Sequence, residues 1–443
     1  MTAIREPASR PDLLAVHRGH PTLWPFLLES AAPGGMLGRW SMLLRADVEV
    51  PPIVARRDDP EPFLERLDTA FGSERADQPG RLPFEGGWFV YAGYELAGEI
   101  ETRLVLPPAP DQVPVAFAQR CRGALILDHN RAKLHAVAES ETLLDEIERE
   151  LAAVDPSAAA DREIDTAAPV PMIRAGDGER FKRGVERIRE YILAGDVFQV
   201  NLSREWRGES AGRPDAAAIY ERLTQSNPAP FGGLARLPGG TVLSSSPERL
   251  VTMRDGIVSA RPIAGTRPRG TSPARDRALS DELLAHPKER AEHIMLIDLV
   301  RNDLGRISRP GSVTVDELMV LESYTHVHHI VSNIRGELAE DVSPADVIRA
   351  CFPGGTITGC PKVRCMEIIA ELEAGGRVLY TGSMGYLGRD GRMDLNILIR
   401  SMLVADDGIR FRTGAGIVAD SEPEAELAET EAKARGLMRA LEP

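Results

Sequence analysis

Strand-like and helix-like segments alternate along the second half of the chain, and this alternation limits the folds that the chain can adopt. The segments TVLSSS (241–246) and IRFRTGAGIV (409–418) are short runs of the kind found in strands. The segments HPKERAEHIMLIDLV (286–300) and PEAELAETEAKARGLMRAL (423–441) have the length and the apolar spacing of helices. The pattern predicts a layered structure of mixed α/β class.

A segment rich in Ala, Pro and Asp, AAVDPSAAADREIDTAAPVP (152–171), is the clearest internal boundary. Before it, LPFEGGWFVYAGYEL (82–96) predicts a buried strand entered from a tight turn, and residues 143–151 predict a charged helix. After it, a helix is predicted from apolar residues at helical spacing, namely Phe181, Val185, Ile188 and Ile192. We expect an N-terminal part at 1–155 and a C-terminal part at 170–443, packed together as one unit.

The balance of charged and apolar residues excludes several classes of protein. Hydrophobic residues make up 43% of the 443 residues, so the chain can bury a sizeable core. The net charge of -14 argues against a nucleic-acid partner, because phosphate binding requires clustered Lys and Arg. No segment is apolar over the roughly 20 residues needed to cross a bilayer, and the N-terminus lacks the apolar region of a signal peptide. We therefore expect no membrane association and a cytoplasmic location.

Two predicted helices each carry carboxylates on one face. Glu289 and Glu292 are three residues apart in the first helix, and Glu426 and Glu429 have the same spacing in the last one, with Lys433 one turn later. Such pairs suit a hard cation such as Mg²⁺, which binds one or two protein carboxylates and completes its shell with water and substrate oxygens. A solvated face of ion pairs is the competing interpretation of either helix alone.

Two glycine-rich segments are candidate ligand sites. FPGGTITGCPK (352–362) leads into a predicted helix, whose free N–H groups together with Lys362 would bind an anion. RTGAGIV (412–418) places Gly414 and Gly416 at a strand end, where a ligand could approach the backbone closely. A plain turn explains each segment equally well.

Three histidines lie in SYTHVHHIVSNI (323–334), which alternates like a strand. His326 and His328 are expected on one face of that strand and His329 on the other. The spacing is a weak match to a zinc site. A strand histidine that donates a hydrogen bond is the favoured interpretation.

Nine ordered motifs resemble those of one enzyme family. They are SSSPERL, RPIAGTRPRG, KERAEHIMLIDLVRNDLGR, HVHHIVS, FPGGTITGCPK, YTGSMGYL, MDLNILIR, GAGIVADSEPEAE and ETEAKA. They cover the chain densely from Phe181 to its end, and FLLES and PFEGGWFVYAGYEL carry a looser resemblance before it. The family comprises enzymes that act on chorismate, among them anthranilate, aminodeoxychorismate, isochorismate and salicylate synthases. The resemblance implies an α/β (α+β) fold in which two antiparallel-rich sheets form a β-sandwich with helices outside.

The resemblance also implies an active site for chorismate and Mg²⁺ in the C-terminal part. The implied metal ligands are Glu292 and Glu429, with Glu289 and Glu426 reaching the ion directly or through water. Arg400 and Tyr380 resemble the contacts to the enolpyruvyl carboxylate of the substrate. The other positions that the resemblance places in the pocket are Gly265, Thr266, His329, Thr356, Gly414, Ala415, Gly416 and Lys433.

Two further positions indicate the chemistry. Glu248, in SPERL, corresponds to the family's general acid, which protonates the hydroxyl that leaves ring carbon 4. An ordinary turn carboxylate after Pro247 is the competing interpretation. Family members that add water carry Lys at the position of Gln199, whereas ammonia has a free lone pair and needs no base, so Gln199 indicates ammonia as the nucleophile. The chain has no glutaminase-like segment, so the resemblance implies a separate glutamine amidotransferase subunit as the source of ammonia.

Within the family, the strongest resemblance is to the large subunit of aminodeoxychorismate synthase, a transferase of folate and 4-aminobenzoate biosynthesis. The motifs QVNL with Asn201, SPER with Arg249, DLVRNDLGR, PGGTITG and MDLNILIR favour this member. One departure favours the anthranilate synthase large subunit instead. Ala264 stands where many aminodeoxychorismate synthases carry a Lys that attacks ring carbon 2. An acidic binding protein without catalytic activity is the more distant alternative.

The resemblance also implies a second ligand site, with residues from the N-terminal part and from the segment PAPFGG of the C-terminal part. FLLES with Ser30, the nearby GRWSM, and PAPFGG with Pro230, Phe231 and Gly232 resemble the tryptophan pocket of the family. That pocket is regulatory in anthranilate synthases and holds tryptophan as a structural ligand in some aminodeoxychorismate synthases. Core packing by the leucines of FLLES explains the same residues equally well.

Overall fold

Strand and helix segments cover most of the computed structural model, which describes residues 2–7, 10–31, 38–57, 59–109, 113–153, 170–324 and 327–442. Most of the predicted boundary segment, the expected end of the N-terminal part at residue 155, and His326 lie outside these residues. The strands are β1 Ala3–Arg5, β2 Phe26–Glu29, β3 Trp40–Ala46, β4 Ile53–Ala55, β5 Gly87–Ala92, β6 Ala116–Asp128, β7 Lys133–Ala138, β8 Arg174–Ala175, β9 Gln199–Glu209, β10 Phe231–Leu237, β11 Gly240–Ser246, β12 Arg249–Arg254, β13 Ile257–Ala260, β14 Ile263–Pro268, β15 Thr314–Ser323, β16 Val327–Glu337, β17 Gly359–Cys360, β18 Ser383–Gly388, β19 Met393–Asn396, β20 Ser401–Ala405 and β21 Gly408–Ile417.

The helices alternate with these strands. They are α1 Leu13–Gly19, α2 Phe63–Glu74, α3 Ala97–Ile100, α4 Glu141–Ala153, α5 Gly178–Leu193, α6 Ala216–Ser226, α7 Pro273–Ala285, α8 Pro287–Gly305, α9 Pro344–Cys351, α10 Lys362–Leu372 and α11 Pro423–Met438. The predicted strand within 82–96 is β5, and the helices predicted at 143–151 and from Phe181 are α4 and α5. No helix in the described part of the chain has the length and apolar character of a transmembrane span.

Every pairing between the described strands is antiparallel, and the pairings form two sheets that share β6. In the first sheet the order is β1, β7, β6, β3, β2, β10, β11, β20, β21 and β9, with β8 and β17 beyond. In the second sheet, β4 and β5 pair with the two edges of the start of β6. From β5 the order continues through β18, β19, β12, β13 and β16, and β14 and β15 also pair with β16. The expected antiparallel-rich mixed fold is confirmed, although the two sheets are continuous through β6.

The two sheets face each other across an apolar core, as a sandwich requires. Phe26 of β2 stacks on Phe89 of β5, with ring centroids 4.0 Å apart. Side chains alternate along β3: Met42 and Leu44 join this inner core, whereas Leu43 between them joins the core on the outer face. Strands β2 and β5 of the N-terminal part pair with β10 and β18 of the C-terminal part. The sequences before and after the boundary therefore share the same sheets.

Helices cover the outer faces of both sheets. On the first sheet, Leu144 of α4 and Leu437 of α11 pack in the same cluster as Leu43. On the second sheet, Leu67 of α2 and Ile297 of α8 pack in one cluster. Burying apolar area contributes about 25 cal/mol per Å², so these clusters hold α8 and α11 firmly against the strands. The two helices that carry the candidate metal ligands are thereby fixed in place.

Candidate active site

Glu248 lies in the short link between β11 and β12, where its side chain is buried. The residue is only 6% exposed, and the Thr356 hydroxyl donates a hydrogen bond of 2.9 Å to Glu248 Oε1. Burial raises the pKa of Glu248 to about 7, although the Thr356 hydroxyl, the Ile263 N–H and the charge of Arg400 stabilise the carboxylate. A carboxyl group with this pKa is partly protonated at neutral pH and can donate a proton.

Arg400 presents a cation near Glu248. Its backbone is left-handed, with φ of 51°. Its carbonyl accepts a hydrogen bond of 3.1 Å from the N–H of Ser245 in β11. None of the described residues forms a hydrogen bond or ion pair with its half-buried guanidinium. Burial lowers the pKa of Arg400, and the charge of Glu248 opposes that effect. An unpaired, partly buried guanidinium is suited to bind the carboxylate of a ligand.

His329 and Thr266 lie opposite each other on β16 and β14. The Thr266 hydroxyl and His329 Nδ1 are hydrogen-bonded at 2.9 Å. Burial lowers the pKa of His329 to about 4, with a further contribution from the charge of Arg400. The imidazole is therefore neutral at physiological pH and lies within electrostatic reach of Arg400. His329 is thus hydrogen-bonded on its strand, and whether it is the donor, as predicted, depends on its tautomer.

The chain bulges between Ala264 and Thr266, opposite β16. Gly265, with φ of +65°, occupies the bulge, and a Cβ there would lie 2.9 Å from Glu289 Oε2. The left-handed backbone favours glycine at this position, where the strand approaches α8. Ala264 itself is 9% exposed and offers only a methyl group, at the position that the sequence resemblance matches to the lysine of many aminodeoxychorismate synthases.

The four carboxylates of α8 and α11 differ in whether they form an ion pair. Glu289 is paired with Arg267 at 3.1 Å, and Glu429 is paired with Lys433 at 2.7 Å. Glu292 and Glu426 form no ion pair with any described residue. Burial raises the pKa of both. The charges of Glu289, Asp420 and Glu426 raise that of Glu292 further, whereas the charge of Lys288 lowers the pKa of both groups. Glu292 therefore lies within electrostatic reach of Glu426 on the other helix.

The expected metal ligands fit Mg²⁺ in part. A cation would stabilise the buried charges of Glu292 and Glu426, and two protein carboxylates are enough for Mg²⁺ because water and substrate supply the other oxygens. Within the described ranges, no group of three or more potential metal-ligating side chains is preassembled. Glu289 and Glu429 already have cationic partners, so of the four expected ligands Glu292 and Glu426 fit best.

The end of β21, beside α11, forms a wall that contains other predicted site residues. Lys433 Nζ donates a hydrogen bond of 2.8 Å to the Gly414 carbonyl. A Cβ on Gly414 would lie 2.6 Å from the Tyr380 hydroxyl, so these groups are in close contact. The Ala415 side chain packs into the core beneath α5 and α10, which leaves only its backbone for a ligand. The structure thus brings Gly414, Tyr380 and Lys433 together.

Gln199, at the start of β9, faces Gly416 of β21. A Cβ on Gly416 would lie 2.6 Å from Gln199 Nε2. The Gln199 side chain is almost fully buried, and its Oε1 has no hydrogen-bond partner among the described residues. A buried acceptor without a partner is costly unless a ligand satisfies it. The Tyr380 hydroxyl, 3.4 Å from Asn201 Oδ1, also places Asn201 in this wall.

Lys362 does not provide the anion site that the sequence suggested. Its ammonium group lies 2.6 Å from Asp303 of α8, and both side chains are largely buried. Helix α10 begins at Lys362, after Pro361. The lysine charge is therefore satisfied within the protein, and the glycine-rich segment contributes Thr356 to the site instead.

The residues of the implied tryptophan pocket lie at a cavity of about 600 Å³ between β2, β10 and β12. Pro230, Phe231 and Gly232 line it, together with Glu29 and Arg249. Ser30 is buried beside it, and its hydroxyl has no partner among the described residues. Tryptophan binding in this cavity stays a prediction.

Sequence reasoning missed a buried ionic cluster directly behind the Tyr380 wall. Glu373 accepts hydrogen bonds from Arg377 at 2.7 Å and from Arg412 at 2.8 Å. The side chains of Glu373 and Arg377 are each 1% exposed. The four-residue spacing of Glu373 and Arg377 resembles an ordinary surface pair, and only burial distinguishes this cluster from one.

Comparison with known proteins identifies the family to which this arrangement belongs. Residues 46–439 match a family described as chorismate binding enzyme. The chain belongs to that family. It is therefore a chorismate-utilising enzyme, and the expected resemblance is confirmed.

Individual relatives within the family include two kinds of synthase. The chain is 39% identical over 433 residues to "Anthranilate synthase component 1" of Streptomyces coelicolor, covering 94% of this chain and 83% of the relative. It is 41% identical over 369 residues to "Aminodeoxychorismate synthase component 1" of Bacillus subtilis, covering 81% and 77%. The structure of anthranilate synthase component I from Streptococcus pneumoniae superimposes with a TM-score of 0.81 at 29% identity, covering 91% and 93%. These similarities show the family and the fold without separating the two reactions.

Proposed function

We propose that this protein is the large subunit of an aminodeoxychorismate synthase, which converts chorismate and ammonia into 4-amino-4-deoxychorismate and water. The observation that carries amination of chorismate is Glu248, a buried carboxyl group with a pKa of about 7 near the unpaired Arg400 guanidinium. The choice of aminodeoxychorismate synthase rests on the motifs that contain Asn201 and Arg249. Asn201, one of the residues that favours this member of the family, lies in the same site through Tyr380. The motifs around Arg249 and Asp394 support the same assignment.

Glu248 is the general acid in this proposal. Loss of hydroxide from ring carbon 4 is slow because hydroxide is a poor leaving group. As the carbon–oxygen bond breaks, the Glu248 carboxyl group donates its proton, and the oxygen leaves as water with the bonding electron pair. Arg400 holds the enolpyruvyl carboxylate, and Tyr380 and the backbone at Gly414 complete that contact.

Ammonia is the nucleophile, and its lone pair forms the new carbon–nitrogen bond. The unpartnered Gln199 Oε1 offers a hydrogen-bond acceptor for an N–H of ammonia but no base that would activate water. The proton that the amine releases returns to the Glu248 carboxylate, so the acid is regenerated. A separate glutamine amidotransferase subunit supplies the ammonia, and free ammonium at high concentration substitutes for it.

Mg²⁺ belongs to the proposal through Glu292 and Glu426, with Glu289 and Glu429 next to them. When bound, the ion supplies a positive charge that binds the ring carboxylate of the substrate. The raised pKa values of Glu292 and Glu426 support this role, because burial and neighbouring carboxylates disfavour both charges and a cation would offset that effect.

Anthranilate synthase is the second candidate, and one observation favours it. Ala264 offers a buried methyl group where a lysine would attack ring carbon 2. Without that lysine, ammonia itself could attack carbon 2, and elimination of pyruvate would then give anthranilate. The two reactions share Glu248, Arg400 and the acidic helices, so they differ in where the nitrogen enters.

Product analysis separates the candidates. The purified chain is incubated with chorismate, Mg²⁺ and excess ammonium, and an aminodeoxychorismate lyase is added to half of the sample. We expect 4-aminobenzoate only in the half with the lyase. Anthranilate formed without the lyase would assign the second candidate. Unchanged chorismate in both halves would contradict both and favour an acidic binding protein.

A further inference from the structure

The guanidinium of Arg377 connects three segments of the active site from behind. Its side chain is 1% exposed. Nη2 donates a hydrogen bond of 2.7 Å to the Asn201 carbonyl on β9, and Nη1 donates one of 3.3 Å to the Ile357 carbonyl, next to Thr356. Nη1 also lies 3.2 Å from the Thr381 hydroxyl. One planar group therefore contacts β9, the Thr356 turn and the turn that carries Tyr380.

The third of these segments is held in an unusual conformation. Val378 and Thr381, which flank Tyr380, have φ values of 56° and 63°. Such left-handed backbone is unfavourable for β-branched residues, so surrounding contacts must hold it. The Thr381 hydroxyl donates to the Tyr380 carbonyl, and the Arg377 guanidinium lies 5.4 Å from the centre of the Tyr380 ring. Arg377 is the cation that contacts both sides of this turn.

Glu373 holds the Arg377 guanidinium in place, and Arg412 in turn donates a hydrogen bond of 2.8 Å to Glu373. Glu373 Oε1 and Oε2 accept hydrogen bonds from Arg377 Nη2 at 2.7 Å and from Nε at 3.1 Å, which is a bidentate arrangement. Glu373 also accepts hydrogen bonds from the N–H and hydroxyl of Ser203, on β9. The buried guanidinium is thereby given one orientation, which a flexible ammonium group could not reproduce.

We propose that Arg377 is a positioning residue that sets the distance between Tyr380, β9 with Gln199, and the Thr356 turn, and so determines how tightly the site holds its anionic substrate. It touches none of the reacting atoms. The inference rests on the proposed function, because the walls that Arg377 connects are those assigned there to chorismate. A shift of these walls by about 1 Å can lower the reaction rate a hundredfold, since productive geometry is lost.

The test compares Arg377→Lys with Arg120→Lys. Arg120, on β6, is a matched control. It is also a buried arginine with two carboxylate partners, Glu74 and Glu139, and it lies away from the site. Both variants keep the charge and lose the planar fork. We expect similar losses of thermal stability, but only Arg377→Lys should raise the KM for chorismate, by about tenfold or more. A change confined to folding would lower the active fraction and hence kcat while leaving KM unchanged.

Thr381→Val is the second variant, in case Arg377→Lys does not fold. It removes one acceptor of the guanidinium and keeps the shape of the side chain, so KM should rise in the same direction by a smaller factor. If the wild-type enzyme is active and the folded variants have an unchanged KM for chorismate, the role of Arg377 is overturned and the proposed function stands. A wild-type enzyme that neither binds nor converts chorismate would overturn the proposed function and the inference with it.

Discussion

Thr356 donates a hydrogen bond of 2.9 Å to Glu248 and thereby lowers a pKa that burial has raised. The two residues are far apart in sequence and meet because the turn after α9 packs against the link between β11 and β12. The hydroxyl favours the carboxylate over the neutral acid. It therefore sets the pH at which Glu248 stops being a proton donor.

Thr356→Val should move the alkaline limb of the pH profile of kcat/KM upward. The valine keeps the volume of the side chain but cannot donate, so the pKa of Glu248 rises by up to about one unit. Activity as a function of pH, at saturating ammonia, measures the shift. Thr224→Val on α6 is the control, since that hydroxyl bonds only within its own helix. A limb that stays in place or moves to lower pH would contradict this role for Thr356.

Glu248→Gln should make the protein relatively more stable in alkaline solution. Because the folded-state pKa of about 7 lies above the ordinary value of 4.5, the folded state binds the extra proton. The stability associated with that proton is present below the unfolded pKa and is lost as pH rises through 7. The free energy of unfolding of the variant minus that of the wild type, measured with urea, should therefore increase by about 2 to 3 kcal/mol between about pH 4.5 and pH 8. A difference that does not change with pH would show that Glu248 is not buried as described.

Mg²⁺ should raise the melting temperature through Glu292 and Glu426. A ligand that binds only the folded state at 100 times its Kd stabilises by about 2.7 kcal/mol, which corresponds to a few degrees. Glu292→Gln and Glu426→Gln should each abolish most of this rise, as measured by differential scanning calorimetry with and without MgCl₂. Glu424→Gln is the control, because Glu424 is an exposed residue of α11 paired with Lys182. An equal rise in all variants would place the metal elsewhere.

Gly416→Ala should weaken the use of ammonia without unfolding the protein. The new Cβ would lie 2.6 Å from Gln199 Nε2, which is the end of a flexible side chain and can move aside. We expect the apparent KM for ammonium to rise by about tenfold, because the Gln199 acceptor is displaced. The KM for chorismate should change less. Gly72→Ala, where a Cβ meets nothing within 4 Å, is the control, and equal effects of both would remove Gln199 from the mechanism.

The local elements of the fold were predictable from sequence, whereas the way in which the sheets join was not. Helix α5 follows from Phe181, Val185 and Ile188 at helical spacing, and β5 from a continuous apolar run. The continuity of both sheets through β6 depends on two sets of partners along one long strand. No local pattern in the sequence of β6 records where its partners change.

The same distinction holds for the candidate site. Motifs predicted Glu248, Arg400 and the carboxylates as site residues, because the family resemblance names residue positions. The pairing of Glu429 with Lys433 and of Lys362 with Asp303 depends on side-chain geometry that the spacing leaves open. The buried role of Arg377 was hidden for the same reason, since charge pairs at helical spacing usually face solvent.

The central claim is that Glu248 supplies the proton for amination of chorismate, and Glu248→Gln tests it most directly. Chorismate binding and chorismate consumption are measured on the same preparations of wild type and variant, with Mg²⁺ and ammonium present. We expect the variant to bind chorismate with little change in Kd and to lose turnover by about a hundredfold or more, since general acid catalysis contributes roughly 10² to 10⁴. A variant that keeps wild-type turnover would contradict the claim.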